Sequence, residues 1–453
     1  MPRRALLTHP ALACCMMLAA TAAVAQTPPG EVRAGEVPAG ASPARPTEQK
    51  STEQTPAAPS PEAMSVAQPA SPTPAAPVGE AQAATPSPDT PAAAAEPAAM
   101  AANRLRIATF AGGYGMAQRQ AVIDPFAAAR GIAVEIVARD SADIATGADV
   151  VEIGAGDLER LCGEGRLLPL DPAILPDSSE GNPASEDFLP GSLKRCGVGS
   201  LAWSAVIAAN RAAFKGRPPM SPADAFDTRR FPGKRAFLRR PQHLMEAVLI
   251  ADGVPARDVY TTLATNEGVD RVLGRLDGFF RDIIWVEDAK AAMEAVESGQ
   301  AAIAQVFSGR AFFSLVRGAD IALVWDGQIY ALNYWAIPAA TAAPDLAKEF
   351  VAHATAPQQL AAVAVQFPYG PTRVSALPLS RRHAVADVEL APYLPTTPEN
   401  LSRALAFDEA WWAQHRARIE TRFDAWLKDG EARVASRDSR AAKPPVPEPR
   451  PRP

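Results

Sequence analysis

Between Arg104 and Gly430 the apolar positions recur with two periods, and the two alternate along the chain. Leu105-Arg106-Ile107-Ala108-Thr109-Phe110 is a strand-like run that ends in the turn Ala111-Gly112-Gly113. From Met116 to about Arg130, Ala117, Ala121, Val122, Phe126 and Ala129 fall at helical spacing, with Gly131 as the expected C-cap. Ile132 to Ala138 reads as a second strand and Ala148 to Ile153 as a third. The third opens through Gly154-Ala155-Gly156 into a helix over about Asp157 to Glu164. Strand–helix–strand alternation with short turns predicts an α/β fold, a parallel sheet covered by helices. Ligands of such sheets sit beyond the carboxyl ends of the strands, where both glycine-bearing turns lie.

The alternation resumes with helices near 242–252 and 266–277 and strand-like runs near 282–286, 301–307 and 321–325. Thr397-Pro398-Glu399 starts a further helix with a cap residue and Pro at the first position. A last helix from about Asp408 carries Trp411, Trp412, His415, Ile419, Phe423, Trp426 and Leu427 on one stripe, a core-facing pattern, and is expected to stop at Gly430.

The flanks differ in kind. Residues 1–25 combine Arg3 and Arg4 with an apolar stretch closing on Ala23-Val24-Ala25, the order of a secretory signal peptide. Cys14 and Cys15 lie inside it and are expected to leave with it. Residues 26–103 hold 16 prolines and no Leu, Ile, Phe, Tyr, Trp or Cys. They cannot bury enough apolar surface to offset chain entropy, so a disordered linker is expected. Residues 431–453, with six prolines, read as a disordered tail. Either segment could be a passive spacer or a partner-docking arm. Cys162 and Cys196 remain in the exported chain, where a disulfide between them is expected; the alternative is two separately buried thiols.

Composition mainly excludes. The 453 residues carry 45 Lys and Arg against 50 Asp and Glu, formally −5. No basic stripe is available for nucleic acid. No apolar run beyond the N-terminus has the length of a spanning helix. Four Cys and five His without zinc-ligand spacing give no metal site, and no cofactor is expected: neither a GxGxxG turn nor a phosphate loop occurs. Gly197-Val198-Gly199-Ser200 lacks the final glycine of a nucleophile elbow, so nothing asks for an enzyme. His243, His353, His383 and His415 read as surface or helix-face residues.

A collinear set of short motifs goes further. Thr109-Phe110-Ala111-Gly112-Gly113-Tyr114, Asp124-Pro125-Phe126 and Gly131-Ile132-Ala133-Val134 are followed by Gly197–Ser200 and Phe231-Pro232-Gly233-Lys234-Arg235. Ala251–Val254, Gly268–Arg271, Trp335-Ala336-Ile337-Pro338 and Tyr369-Gly370-Pro371-Thr372 complete the series. In this order they resemble the periplasmic spermidine/putrescine-binding family that serves ABC transporters, over essentially all of 104–430. The resemblance implies two α/β lobes joined by crossing strands around a ligand cleft. Lobe one would be about 104–205 with 330–375, and lobe two about 206–329 with 376–430. It also implies an aromatic box for methylene stems and ammonium groups, with Phe110, Tyr114, Phe307 and Tyr369 at matching positions. Where the family places an acid before the strand ending in Ala-Ile-Pro, this chain has Asn333. An amide accepts a hydrogen bond but brings no charge. Glu246, taken with the box as a ligand-binding residue, and Glu287 or Asp326 are the acids that could compensate. Two readings follow. One is a periplasmic receptor for a small amine or amino-acid-like solute, delivering it to an inner-membrane permease. The other is a binding-protein scaffold reused as a sensor or interaction partner.

Overall fold

Two long antiparallel strands organise the molecule. The computed structural model describes residues 103–137, 139 and 146–441; the expected signal segment, the linker up to 102 and the chain beyond 441 lie outside the described residues. The strands are β1 (Arg104–Ala108), β2 (Ala133–Val137), β3 (Val150–Gly154), β4 (Leu193–Lys194), β5 (Gly197–Asn210), β6 (Arg235–Leu238), β7 (Ile283–Val286), β8 (Ile303–Phe307), β9 (Ile321–Ala336) and β10 (Leu405–Ala406). They form one mixed sheet in the order β2-β1-β3-β9-β5-β8-β6-β7, with β10 on β9 and β4 on β5. The expected parallel pairing holds at both ends, β2-β1-β3 and β8-β6-β7. Between them, β5 and β9 run antiparallel from Gly197 opposite Ala336 to Asn210 opposite Ile321. The late half of β9 also pairs with β3, and the late half of β5 with β8. The same two strands thus belong to both lobes, and this crossing holds the cleft together.

Helices cover the two ends. Among them are α1 (Gly112–Gln118), α2 (Asp124–Arg130), α3 (Ala155–Gly163), α4 (Leu244–Ala251), α5 (Asn266–Asp277), α6 (Ala289–Glu297), α7 (Ser308–Val316), α8 (Pro344–Ala354), α9 (Pro357–Ala364), α10 (Pro398–Leu401) and α11 (Glu409–Ala441). Gly131 closes α2 in the left-handed conformation, at φ 64°, as its position predicts. The Thr397 hydroxyl accepts from the Asn400 backbone N–H and caps α10. Periodicity placed the first helix from Met116; it begins at Gly112 and reaches α2 through a π turn over Arg119–Ile123.

Two cores result. In lobe one, Leu105, Ile107, Val122, Phe126, Trp335 and Phe350 pack together. In lobe two, Phe226 stacks on Phe237 with ring centres 5.6 Å apart, and Trp412, Ile419, Phe423 and Leu427 of α11 close the core over α4 and α5. Cys162 and Cys196 are bonded, tying α3 to the start of β5.

α11 does not stop at Gly430. That glycine is a point of close approach and not a cap: a Cβ there would lie 2.3 Å from two ring carbons of Phe280. Residues 431–441, expected in the tail, continue the helix. Glu431 pairs with Arg239 at 2.6 Å, Arg433 with Asp277 at 2.6 Å and Asp438 with Arg281 at 3.2 Å. Among the described residues no helix is long and apolar enough to cross a membrane.

Candidate functional site

A cavity of about 1420 Å³ lies between the lobes, bounded by the ends of β1 and β3, the crossing strands and the start of α11. On the lobe-one side the turn after β1 delivers Phe110, α1 delivers Tyr114, and the segment after α9 delivers Phe367 and Tyr369. Their rings form a connected wall. Tyr114 sits 6.1 Å from Phe110, 5.8 Å from Phe367 and 5.5 Å from Tyr369, and Phe367 sits 4.7 Å from Tyr369. Behind the wall, Glu152 of β3 is fully buried. Its carboxylate accepts from the hydroxyls of Tyr114 at 2.5 Å, Ser200 at 2.6 Å and Thr109 at 2.7 Å. Burial raises the Glu152 pKa, and these hydrogen bonds oppose the rise. The network fixes the Tyr114 ring, which is 7% exposed. Asn333 lies beside this wall, opposite Gly154 in the β3–β9 register, and lines the cavity.

The guanidinium of Arg139 lies over the Phe110 ring, 3.7 Å from its centre. Its buried Nε has no hydrogen-bond partner. This cation covers one face of the Phe110 ring; Arg139 itself is not among the residues that line the cavity.

The opposite corner is also aromatic. Trp203 of β5, Phe307 at the end of β8 and Phe407 surround His243, the residue that caps α4. His243 stacks on Phe407 at 4.3 Å and meets Trp203 and Phe307 edge-on at 5.5 and 5.9 Å. Its backbone holds a positive φ of 67°, a conformation that persists only when its surroundings impose it. Here the Gln305 side chain donates to the His243 carbonyl at 3.0 Å. Burial, followed by the charge of Arg240 and opposed by the Gln242 backbone, lowers the imidazole pKa to about 3. The ring is therefore neutral across the physiological range.

Charge is unevenly matched around the cavity. Lys290 pairs with Glu294, Arg317 with Glu297, Arg160 with Asp157 and Arg416 with Glu420. Glu409 reaches from α11 to the N-terminus of α3, where it accepts from the Gly156 N–H. Cβ atoms at Gly154 and Gly156 would each come within 3.0 Å of that carboxylate, so both positions must stay small. Arg240 and Arg310 also line the cavity, and among the described residues neither has a carboxylate within ion-pair distance.

Of the residues singled out by sequence, Phe110, Tyr114, Phe307, Asn333 and Tyr369 all line this one cavity. Glu246 does not. It is 0% exposed in the lobe-two core, accepts from Trp412 Nε1 at 2.6 Å, and burial pushes its pKa up to about 7. Asp326 pairs with Arg403 at 2.7 Å and Glu287 is exposed on the surface; neither lines the cavity. His243, read as a surface or helix-face residue, is buried in the cleft wall. Sequence reasoning also missed Arg139, Glu152, Trp203, Phe367, Phe407 and Glu409. An isolated Glu inside the apolar run Val150–Ile153 was the one visible signal, since a carboxylate there must find partners when the strand is buried.

A family model for bacterial extracellular solute-binding proteins matches residues 121–392. The gamma-aminobutyric acid-binding protein of Pseudomonas aeruginosa is 35% identical over 331 residues, 71% of this chain and 90% of that protein. The solved Atu4243-GABA receptor is 26% identical with a TM-score of 0.59, over 72% of this chain and 98% of that one. A spermidine/putrescine ABC transporter substrate-binding protein from Streptococcus pneumoniae shares the fold, with a TM-score of 0.57 at 15% identity over 72% and 99% of the two chains. Two lobes joined by crossing strands around an aromatic cleft and a family match over most of the described chain agree: this protein belongs to the bacterial extracellular solute-binding proteins, the solute-capturing components of ABC transporters.

Proposed function

We propose that the protein captures a small amino-acid-like solute bearing a carboxylate, with GABA as the type compound, in the periplasm and delivers it to an inner-membrane permease. The carrying observation is Arg139, whose guanidinium covers the Phe110 ring while one of its buried N–H groups has no partner. A carboxylate supplies what that group lacks; an ammonium would be repelled by it. Asn333 in place of an acid, and Arg240 and Arg310 without carboxylate partners among the described residues, bias the cleft the same way. The 35%-identical relative that carries GABA in its name supports the choice of type compound.

Titration calorimetry with GABA, putrescine and spermidine tests the reading. GABA should bind and both polyamines should bind at least tenfold more weakly. Arg139→Ala should weaken GABA by roughly tenfold or more, since hydrogen bonds to charged groups contribute about 1.5–3 kcal/mol. Tight polyamine binding with no response to GABA would return the chain to the polyamine reading.

A further inference from the structure

On the amino-acid reading, Arg139 beside the Phe110 ring takes the carboxylate end of the solute. The amine at the other end needs a site that offers negative potential without a free acid, because the acids lining the cavity are engaged with their own cations or with the end of α3. The corner around His243 has that chemistry. Trp203, Phe307 and Phe407 present ring faces and edges around it, and ring faces attract cations. Neither ring nitrogen of His243 meets hydrogen-bond geometry with a protein group, although the Gln242 backbone lies near enough to act on its titration; the side chain is 95% buried and lines the cavity. A buried polar atom left without a partner destabilises the fold. Holding the residue at φ 67° adds to that cost. Such a group is explained when something that enters the cavity satisfies it. A neutral imidazole keeps one nitrogen lone pair free, and that lone pair accepts from an N–H.

We infer that the aromatic corner of Trp203, His243, Phe307 and Phe407 receives the solute's ammonium group, and that an unprotonated ring nitrogen of His243 accepts one of its N–H bonds. Arg240, exposed at the rim and screened by solvent, helps to keep the imidazole unprotonated. The inference rests on the amino-acid reading for the far end of the solute. It adds a selectivity: primary amines, which have an N–H to give, over trimethylated amines, which do not.

The test compares GABA with 4-(trimethylammonio)butyrate, and putrescine with its mono-trimethylated form, by titration calorimetry. Wild type should prefer the primary amine of a pair by tenfold or more. His243→Phe keeps the aromatic enclosure and removes the acceptor, so the preference should collapse towards unity or reverse. His243→Asn, a residue that tolerates positive φ best and carries an amide oxygen, should retain part of it. Thermal melts establish that both variants fold. If both folded variants keep the wild-type ratio, the assignment is overturned, as it is if wild type takes the trimethylated compound as readily as the primary amine. If GABA fails to bind and putrescine binds, the carboxylate reading falls while the putrescine pair still decides the role of His243. Binding of none of the four compounds overturns both.

Discussion

Glu246→Gln isolates one buried charge, and the structure sets both the sign and the size of its effect. The native carboxyl titrates at about 7 against an ordinary 4.5. Burial raises it; the hydrogen bond from Trp412 Nε1 and a longer one from the Tyr260 hydroxyl hold it down. Between pH 4.5 and 7 the folded protein therefore keeps a proton that the unfolded chain has released, so stability falls as pH rises through that window. At about 1.36 kcal/mol per pKa unit the full loss above pH 7 is roughly 3 kcal/mol. Glutamine cannot ionise, and its oxygen can still accept from Trp412. Its amide nitrogen would take the place of Oε2, which has no partner; two buried N–H donors then replace the single O–H of the protonated native carboxyl, an added cost of about 1–2 kcal/mol at every pH. The stability curves of the two proteins should cross. The variant should be less stable near pH 5, more stable by about 1–2 kcal/mol near pH 8, and nearly flat in the difference that belongs to this residue. Urea unfolding at pH 5, 6, 7 and 8 reads this directly. Equal pH slopes in both proteins would refute the reasoning. GABA affinity should be unchanged, because Glu246 lies outside the cleft; a large loss of affinity would restore it as a ligand-binding residue.

Asn333→Asp places a carboxylate in the cleft wall beside the aromatic box. It should tighten putrescine by roughly tenfold or more and weaken GABA comparably, read by calorimetry; unchanged affinity for both would place Asn333 outside the site. Removing the Cys162–Cys196 bond by a double Ser substitution opens a loop with a sequence separation of 34 and should cost about 3–4 kcal/mol; an unmoved urea midpoint would count against this. Gly430→Ala pits two effects against each other. Helix propensity favours alanine by about 1 kcal/mol, whereas the new Cβ would lie 2.3 Å from the Phe280 ring and overpacking typically costs 1–3 kcal/mol. A lowered melting temperature is expected, and a raised one would show that Phe280 gives way freely.

Local patterns made the elements legible. Helix α5 was read over 266–277, where Thr265 caps it and a strong apolar stripe runs through Val269, Val272, Leu273 and Leu276. The crossing strands were not. β5 reads Gly197-Val198-Gly199-Ser200 and onward through a mix of small and large apolar residues without polar alternation, because nearly the whole strand is buried on both faces. β9 was seen only to Trp325; Asp326, Gly327 and Gln328 interrupt its apolar run although the strand continues to Ala336. Glycine misled at 430, where the physical requirement was room for a ring and not a left-handed turn. In the site, aromatic residues on loops after strands were recoverable from the resemblance, since strand ends are where such folds put ligands. Glu246 failed because a carboxylate on a helix can face either way, and burial against Trp412 is decided by a helix more than 160 positions later. Arg139 and His243 carry no sequence signal of their own. What sets them apart is an unmade hydrogen bond, which exists only in three dimensions.

The size of the cleft makes water a participant in binding. At about 30 Å³ per molecule in the liquid, a cavity of about 1420 Å³ holds some tens of waters, and a solute of GABA's size displaces only a handful. Bringing the lobes together over such a solute must return most of the remainder to bulk. The binding equilibrium then includes water as a released product, and its constant depends on water activity as well as on solute concentration. Sucrose and similar osmolytes, which are excluded from protein surfaces, should tighten GABA binding steadily as osmotic pressure rises. The slope of that dependence counts the waters expelled. A slope near zero would mean that the cleft stays wet when occupied, and that the solute is held by the two end groups alone.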